Sequence, residues 1–240
     1  MNSSLPFFST PLTVAIFLLA GMFLSVRSRK LTLLAALTGG VVGWIIYSDG
    51  GITSFLLLVT FFLLGTLATG WRRTEKNKVD HEGHTAQQRT PGQVLANAGV
   101  ATILALSTNF FHRHVHALHL MIAASFAAAT ADTLASELGT LYGRRFYNCL
   151  IWKAEPKGLN GVISLEGTLI GIAGAAIIAL IYGAGLGWTR DLLVIVIAGA
   201  VGNLTDSILG AALERKGQLS NNWVNFWSVA AAALVAGALA

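Results

Sequence analysis

Apolar runs close to membrane-spanning length recur along nearly the whole chain, each bounded by charges or turn residues. Crossing the hydrocarbon core takes roughly 17 to 25 predominantly apolar residues. Eight runs approach or reach that length: Pro11 to Val26, Leu31 to Tyr47, Ile52 to Trp71, Gly92 to Phe111, Leu118 to Tyr142, Val162 to Gly187, Leu192 to Leu213 and Trp223 to Leu239. In lipid every backbone amide and carbonyl must be satisfied within the protein, so the runs predict helices. The expected fold class is all-α, a polytopic integral membrane helix bundle filling residues 1–240 as one domain. About eight transmembrane helices are expected, with seven as the alternative count. The first two runs are short enough to form a re-entrant hairpin instead.

The placement of basic residues orients such a bundle. Arg27, Arg29 and Lys30; Arg72, Arg73, Lys76, Lys78 and Arg89; Arg144, Arg145, Lys153 and Lys157; and Arg215 with Lys216 occupy alternate connections. Of the 16 Lys and Arg, the remaining connections hold only Arg113 and Arg190. Positive loops stay in the cytoplasm, which puts both termini outside and makes 72–91 and 143–161 cytosolic loops. The net charge of +5 with 11% charged residues is thereby explained by topology, not by nucleic-acid binding. The first run lacks a basic leader and a small-residue cleavage site, so it reads as a retained span. The single cysteine, Cys149, excludes an internal disulfide framework and reads as a packing residue.

Against this apolar background, Asp132 and Glu137 in the fifth run are costly and form the first functional-site candidates. Ser136 lies four residues after Asp132 on the same helical face, giving a polar stripe of Asp132, Ser136 and Gly139. The structural alternative pairs a carboxylate with Arg144 or Arg145. In the following loop, Lys153 and Lys157 precede Gly158, Gly161, Ser164, Glu166, Gly167 and Thr168. Hydroxyls and amides at a helix start suit a phosphate, although Gly and Ser there usually act only as caps. In the seventh run Asn203, Asp206 and Gly210 share a face, and Ser220, Asn221, Asn222 and Asn225 open the eighth. These polar groups all fall in the cytoplasmic half, where carboxylates, amides and nearby cations suit Mg²⁺ with substrate phosphates. On the other side, His112, His114, His116 and His119 read as a solvated interfacial cluster rather than metal ligands, because no carboxylate or cysteine is expected nearby. Most of the 26 glycines read as helix-packing positions.

Four ordered motifs carry a family resemblance. Ala-Asp-Thr-Leu-Ala-Ser-Glu-Leu-Gly from Ala131, Ser-Leu-Glu-Gly-Thr from Ser164, Gly-Asn-Leu-Thr-Asp-Ser-Ile-Leu-Gly-Ala from Gly202 and Ser-Asn-Asn-Trp-Val-Asn from Ser220 resemble the integral membrane family DUF92. That family, which also includes transmembrane protein 19, has the plant phytyl-phosphate kinase among its members. The likeness extends to Gln93-Val94-Leu95-Ala96-Asn97. It departs before the sixth run, where Leu159 and Val162 replace a threonine and a second glycine of the family pattern. The motif order is also remotely similar to dolichol kinase, phytol kinase and phosphatidate cytidylyltransferase.

The resemblance implies an Mg²⁺-dependent phosphotransferase of the cell membrane, its active site facing the cytoplasm. It would transfer phosphate from a nucleoside triphosphate, with CTP as the leading donor, to an isoprenyl monophosphate such as phytyl phosphate. Asp132 and Asp206 would hold the metal, with Glu137 and Glu166 orienting it or its waters. Ser164, Glu166 and Gly167 would face the nucleotide phosphates, and Arg144, Lys153 or Lys157 would offset developing charge. Asn203, Ser207, Asn222 and Asn225 complete the expected nucleotide- and phosphate-binding set. The rivals are a CTP-dependent cytidylyltransferase, a secondary transporter of a small anion or lipid, and a helper subunit.

Overall fold

The computed structural model describes residues 10–77 and 88–240. Its helices are α1 (Pro11–Arg27), α2 (Leu33–Gly70), a short α3 (Arg73–Asn77), α4 (Pro91–Ser107), α5 (Val115–Tyr142), α6 (Leu165–Leu186), α7 (Asp191–Leu209) and α8 (Asn221–Leu239). Each starts where the sequence offers a cap or where a preceding turn feeds it. Thr10, Thr32 and Ser164 accept hydrogen bonds from the first-turn amides, and Thr90 with Gln93 forms a capping box just before α4. Among the described residues, Leu33–Gly70, His112–Tyr142, Leu165–Leu186 and Asp191–Glu214 are long and apolar enough to cross a membrane.

Several boundaries differ from the sequence reading, each for a local reason. The second and third runs are the two arms of α2, which doubles back at Gly51 (φ 76°, ψ 175°). Only glycine adopts that conformation without strain. The reversal brings the Tyr47 and Phe55 rings within 6.1 Å and sets Gly43 beside Leu58. The fourth helix ends at Ser107 rather than Phe111, and Thr108 donates its hydroxyl to Asp49 O at 2.8 Å. The sixth starts at Leu165, because Val162 and Ile163 are taken by a two-stranded antiparallel pairing with Tyr147 and Asn148. A small β-hairpin thus interrupts the expected all-α fold inside the 143–161 loop. The seventh closes in a π-helical turn, Gly210–Glu214. In the 72–91 loop, α3 is ordered and packed, while residues 78–87 lie outside the described residues.

Helix α5 is the axis of the bundle and packs against α2, α4, α6, α7 and α8. Alanines explain how one helix accepts so many neighbours: Ala123, Ala124, Ala127, Ala128 and Ala131 are fully buried and let other backbones approach. Glycines of α5 and of its neighbours sit at the contacts. A Cβ on Gly139 would lie 2.8 Å from Gly167 Cα, and one on Gly171 would lie 2.9 Å from Ala131 O. On α7, a Cβ on Gly199 would meet Ala127 at 2.9 Å, and one on Gly202 would meet Ala128 at 2.4 Å.

Alternate connections gather at the same ends of the bundle. At one end Arg89 pairs with Leu31, Trp71 Nε1 donates to Tyr142 Oη at 2.8 Å, and Arg215 Nη1 donates to Glu155 Oε2 at 2.8 Å. At the other, Asn109 Nδ2 donates to Asp49 Oδ1 at 2.7 Å, and His116 Nε2 lies 2.8 Å from Asp191 Oδ2. Asp191 corrects the sequence reading of the histidines, since it brings a distant carboxylate to His116. His112, His114 and His116 are otherwise exposed, as a solvated cluster requires.

Gly202→Leu is expected to lower bundle stability by about 1–3 kcal/mol or more by overpacking the α5–α7 contact. Gly21→Ala, whose Cβ would meet nothing within 4 Å, is expected to be neutral or slightly stabilising. Thermal denaturation of both proteins in one detergent checks the contrast.

Candidate functional site

A cavity of about 270 Å³ opens at the end of the bundle that carries most of the basic residues. Most of its wall is built by three close helices and one loop, with Lys76 of α3 and Asn221 of α8 at its margin. α5 contributes Asp132, Ser136, Glu137, Gly139 and Thr140; α7 contributes Asn203, Asp206 and Ser207. Ser164, Gly167 and Thr168 come from the start of α6, and residues 158–163 close one side. The glycine contacts bring these groups together. With Gly167 against Gly139 and Gly171 against Ala131, α6 lies close enough to α5 for its first turn to share the cavity wall with Asp132.

Asp132 and Asp206 meet on the wall of this cavity. Their carboxyl groups interact directly with each other, while the nearby Ser228 hydroxyl donates to Asn225 O at 2.9 Å. With its amide oriented to donate, Asn225 hydrogen-bonds Asp206 Oδ2 at 3.2 Å and Asn221 O at 3.2 Å. Glu214, from the π-helical turn, adds a third acidic charge felt by both aspartates. Like charges this close require a shared proton or a cation between them. Among the described residues no group of three or more His, Cys, Asp or Glu is placed to hold a metal by itself. A pair of carboxylates fits Mg²⁺, which uses one or two of them and takes its other ligands from water and substrate phosphates.

Glu137 is not paired with Arg144 or Arg145. Its partner is Lys76, whose Nζ also donates to Ala68 O at 2.8 Å and Thr69 O at 3.0 Å. The lysine is buried, with 2% of its side chain exposed against 17% for Glu137. It therefore caps the last carbonyls of α2 and holds a positive charge on the cavity wall at once. Sequence reasoning counted Lys76 only as loop charge. Nothing in Arg-Arg-Thr-Glu-Lys-Asn-Lys marks it apart from its neighbours, since its burial comes from the fold of α3 under α5.

Other expected residues fall outside the cavity wall. Glu166 turns away, and its Oε2 accepts from Arg144 N at 3.3 Å, which ties the start of α6 to the end of α5. The Arg144 and Lys153 side chains are exposed. Lys157 Nζ donates to Thr140 O at 3.1 Å and so caps α5. Asn222 packs on α4, its Nδ2 2.7 Å from where a Cβ of Gly92 would stand. Ser164 acts as the α6 cap, accepting from Gly167 N at 3.1 Å, so that amide is already used. Ser164 is buried and lines the cavity, which leaves its hydroxyl proton to be donated. Asn221, one of the polar residues noted at the start of the eighth run, lines the cavity, and Thr140, Phe146 and Asn160 do so without having been expected.

The loop over the cavity is held by its own polar bonds. Asn148 accepts from Leu150 N at 2.9 Å and donates to Glu155 Oε1 at 3.0 Å. Arg215 joins Glu155 to Asn160 O. Gly161 (φ 72°) sits so tightly on α7 that a Cβ would lie 2.3 Å from Ala211 Cβ. Cys149 does more than pack: its thiol donates to Ser207 O at 3.2 Å, and burial raises its pKa, keeping the S–H donor in place.

The comparisons with known proteins agree with one another. The family model described as integral membrane protein DUF92 matches residues 16–233. An uncharacterized membrane protein of Methanocaldococcus jannaschii is 32% identical over 83% of this chain and 81% of its own length. Protein VTE6, chloroplastic, of Arabidopsis thaliana is 30% identical over 84% of this chain, which spans 62% of that protein. Protein PGR of the same plant is 31% identical over 75% of this chain and 72% of its own length. No solved structure matches.

Two outcomes follow from the site's ion pairs. Lys76→Met strands Glu137 and is expected to cost about 3–5 kcal/mol, with most of the loss recovered in Lys76→Met/Glu137→Leu; thermal melts of the two proteins decide this. The Arg215 and Asn148 hydrogen bonds lower the Glu155 pKa, so its contribution to loop stability is complete above the ordinary glutamate value of about 4.3 and is lost as pH falls through the lower folded value. Hydrogen exchange of residues 143–161 is expected to quicken at acid pH in the wild type and to lose that dependence in Glu155→Gln.

Proposed function

We propose, starting from the fact that the chain belongs to the DUF92 family of integral membrane proteins, that it is a membrane-embedded kinase acting on a lipid phosphate. The proposed reaction moves the terminal phosphoryl group of a nucleoside triphosphate, with CTP as the leading donor, onto an isoprenyl monophosphate such as phytyl phosphate. An oxygen of the lipid phosphate attacks the γ-phosphorus, the bond to the β,γ-bridging oxygen breaks, and the nucleoside diphosphate leaves. The acceptor is already ionised, so no strong base is required. This suits a site whose carboxyl groups are paired with each other or with Lys76.

The observation that carries this reading is the convergence of Asp132, Asp206, Asn203, Ser207, Ser164 and Lys76 on one polar cavity at one end of an apolar bundle. Phosphoryl transfer is catalysed mainly by positioning and charge neutralisation. Asp132 and Asp206 are the residues proposed to hold Mg²⁺, which when bound would neutralise the donor phosphates. Lys76 supplies fixed positive charge on the cavity wall, and the Ser164 hydroxyl supplies a donor. Asn225 steadies Asp206, while the Gly158–Val162 segment excludes bulk water from one side. The excess of Lys and Arg at this end supports a cytoplasmic placement, with eight crossings and both termini outside. The family resemblance to phytyl-phosphate kinase supports the acceptor class.

The purified protein in detergent, given labelled CTP or ATP, Mg²⁺ and phytyl or geranylgeranyl monophosphate, is expected to form the lipid diphosphate and release the nucleoside diphosphate. Release of pyrophosphate instead would show a cytidylyltransferase, and no product from any donor with folded protein would sink both. Asp132→Asn is expected to lower turnover by at least a thousandfold, while its melting temperature stays close to wild type. A large loss of stability in that variant would return Asp132 to a structural role.

A further inference from the structure

A second cavity, of about 340 Å³, lies between α1, the two arms of α2 and the start of α4. Its volume falls within the range of small-molecule sites, roughly 300 to 1,000 Å³. Its walls are hydrocarbon over most of their extent, with Phe17, Met22, Phe55, Leu58 and Phe62 among the lining side chains. Polar groups are few, and Ser25, Arg89 and Gln93 gather toward the end where α1 turns into α2. Arg89 is fixed there by backbone bonds, its N–H donating to Lys30 O at 3.0 Å and its carbonyl accepting from Thr32 N at 3.1 Å.

The same arginine connects this chamber to the site already described. Arg89 Nη2 and Thr133 Cγ2 both approach Gly65, standing 3.1 Å and 3.4 Å from where a Cβ there would lie. The guanidinium also feels the charge of Glu137, which lines the polar cavity. Arg89 thus lines the apolar chamber and interacts with a wall residue of the polar one. A hydrocarbon-lined space ending in a guanidinium is complementary to a molecule with an apolar tail and an anionic head.

The glycines of α1 and α2 divide into two kinds here. Gly40 and Gly43 serve packing, since Cβ atoms on them would stand 2.5 Å from Met22 Sδ and 2.8 Å from Leu18 Cδ2. Gly21 and Gly39 also line the chamber, yet Cβ atoms on them would meet nothing within 4 Å. At these two positions the absent side chain leaves open space beside the chamber.

We infer that this chamber binds the tail of a single-chain lipid phosphate, with Arg89 at the point where the phosphate passes into the polar cavity. The inference rests on the lipid-phosphate reading above and deepens it by assigning the acceptor's tail a place. The occupant enters from the bilayer between the helices, and its length is read by the apolar walls rather than by the carboxyl end.

The test uses the full chain in nanodiscs with a diazirine-bearing C20 isoprenyl monophosphate, without nucleotide. Labelling is expected on peptides of α1, α2 and α4, and Gly39→Phe and Gly21→Phe are each expected to reduce it at least tenfold at unchanged melting temperature. Arg89→Gln is expected to reduce labelling by the phosphate but not by the matching alcohol. Labelling on other helices, equal labelling by a diazirine phospholipid, or wild-type labelling of Gly39→Phe would each overturn the chamber. Because labelling needs no turnover, a labelled chamber in an inactive protein would sink the kinase reading alone. Full turnover of the C20 phosphate by Gly39→Phe at wild-type KM would sink the chamber alone.

Discussion

The close approach of α6 and α7 to α5, backbone against backbone, is the contact on which the rest of the structure depends. Lipid tails are as apolar as leucine, so helices in a membrane gain little from hiding apolar area and rely on van der Waals contact. Here that contact is made by Gly167, Gly171, Gly199 and Gly202 against a row of alanines on α5. The same closeness sets Asp132 beside Asp206. A wider bundle would hold its helices with larger side chains and would leave the two carboxyl groups too far apart to act on one ligand. Packing and chemistry are therefore set by one spacing.

Charge is managed differently at each point of the polar end. Glu137 is answered by a buried lysine, Glu155 by Arg215 and Asn148, and Glu166 by a backbone amide. Asp132 and Asp206 face one another instead, with Glu214 nearby. The carboxyl groups that hold the fold together are matched to donors. The two at the centre are set against each other, with Asn225 as a donor to Asp206.

Much of this was legible in the sequence because the signals are local or periodic. The apolar runs gave the helices to within a few residues, and Asp132, Asn203 and Asp206 could be placed by their cost in an apolar run and by their helical spacing. What was not legible depends on distant contacts. Lys76 looks like any loop lysine until α3 folds beneath α5, and Asp191 meets His116 only through the return of α7. Glu166, Arg144 and Lys157 sit beside the right motif, but their bonds hold helix ends rather than line the cavity. Val162 and Ile163 read as helix by hydropathy, and their pairing with Tyr147 and Asn148 is a tertiary choice.

The position of α1 has a mechanical consequence. It leans chiefly on α2, whereas α5 is enclosed by five other helices. Swinging the outer helix aside would break few contacts, while parting the inner ones would dismantle the bundle. The packing around Asp132 is thus braced by five helices and owes little to α1, which forms one wall of the apolar chamber from the rim of the bundle.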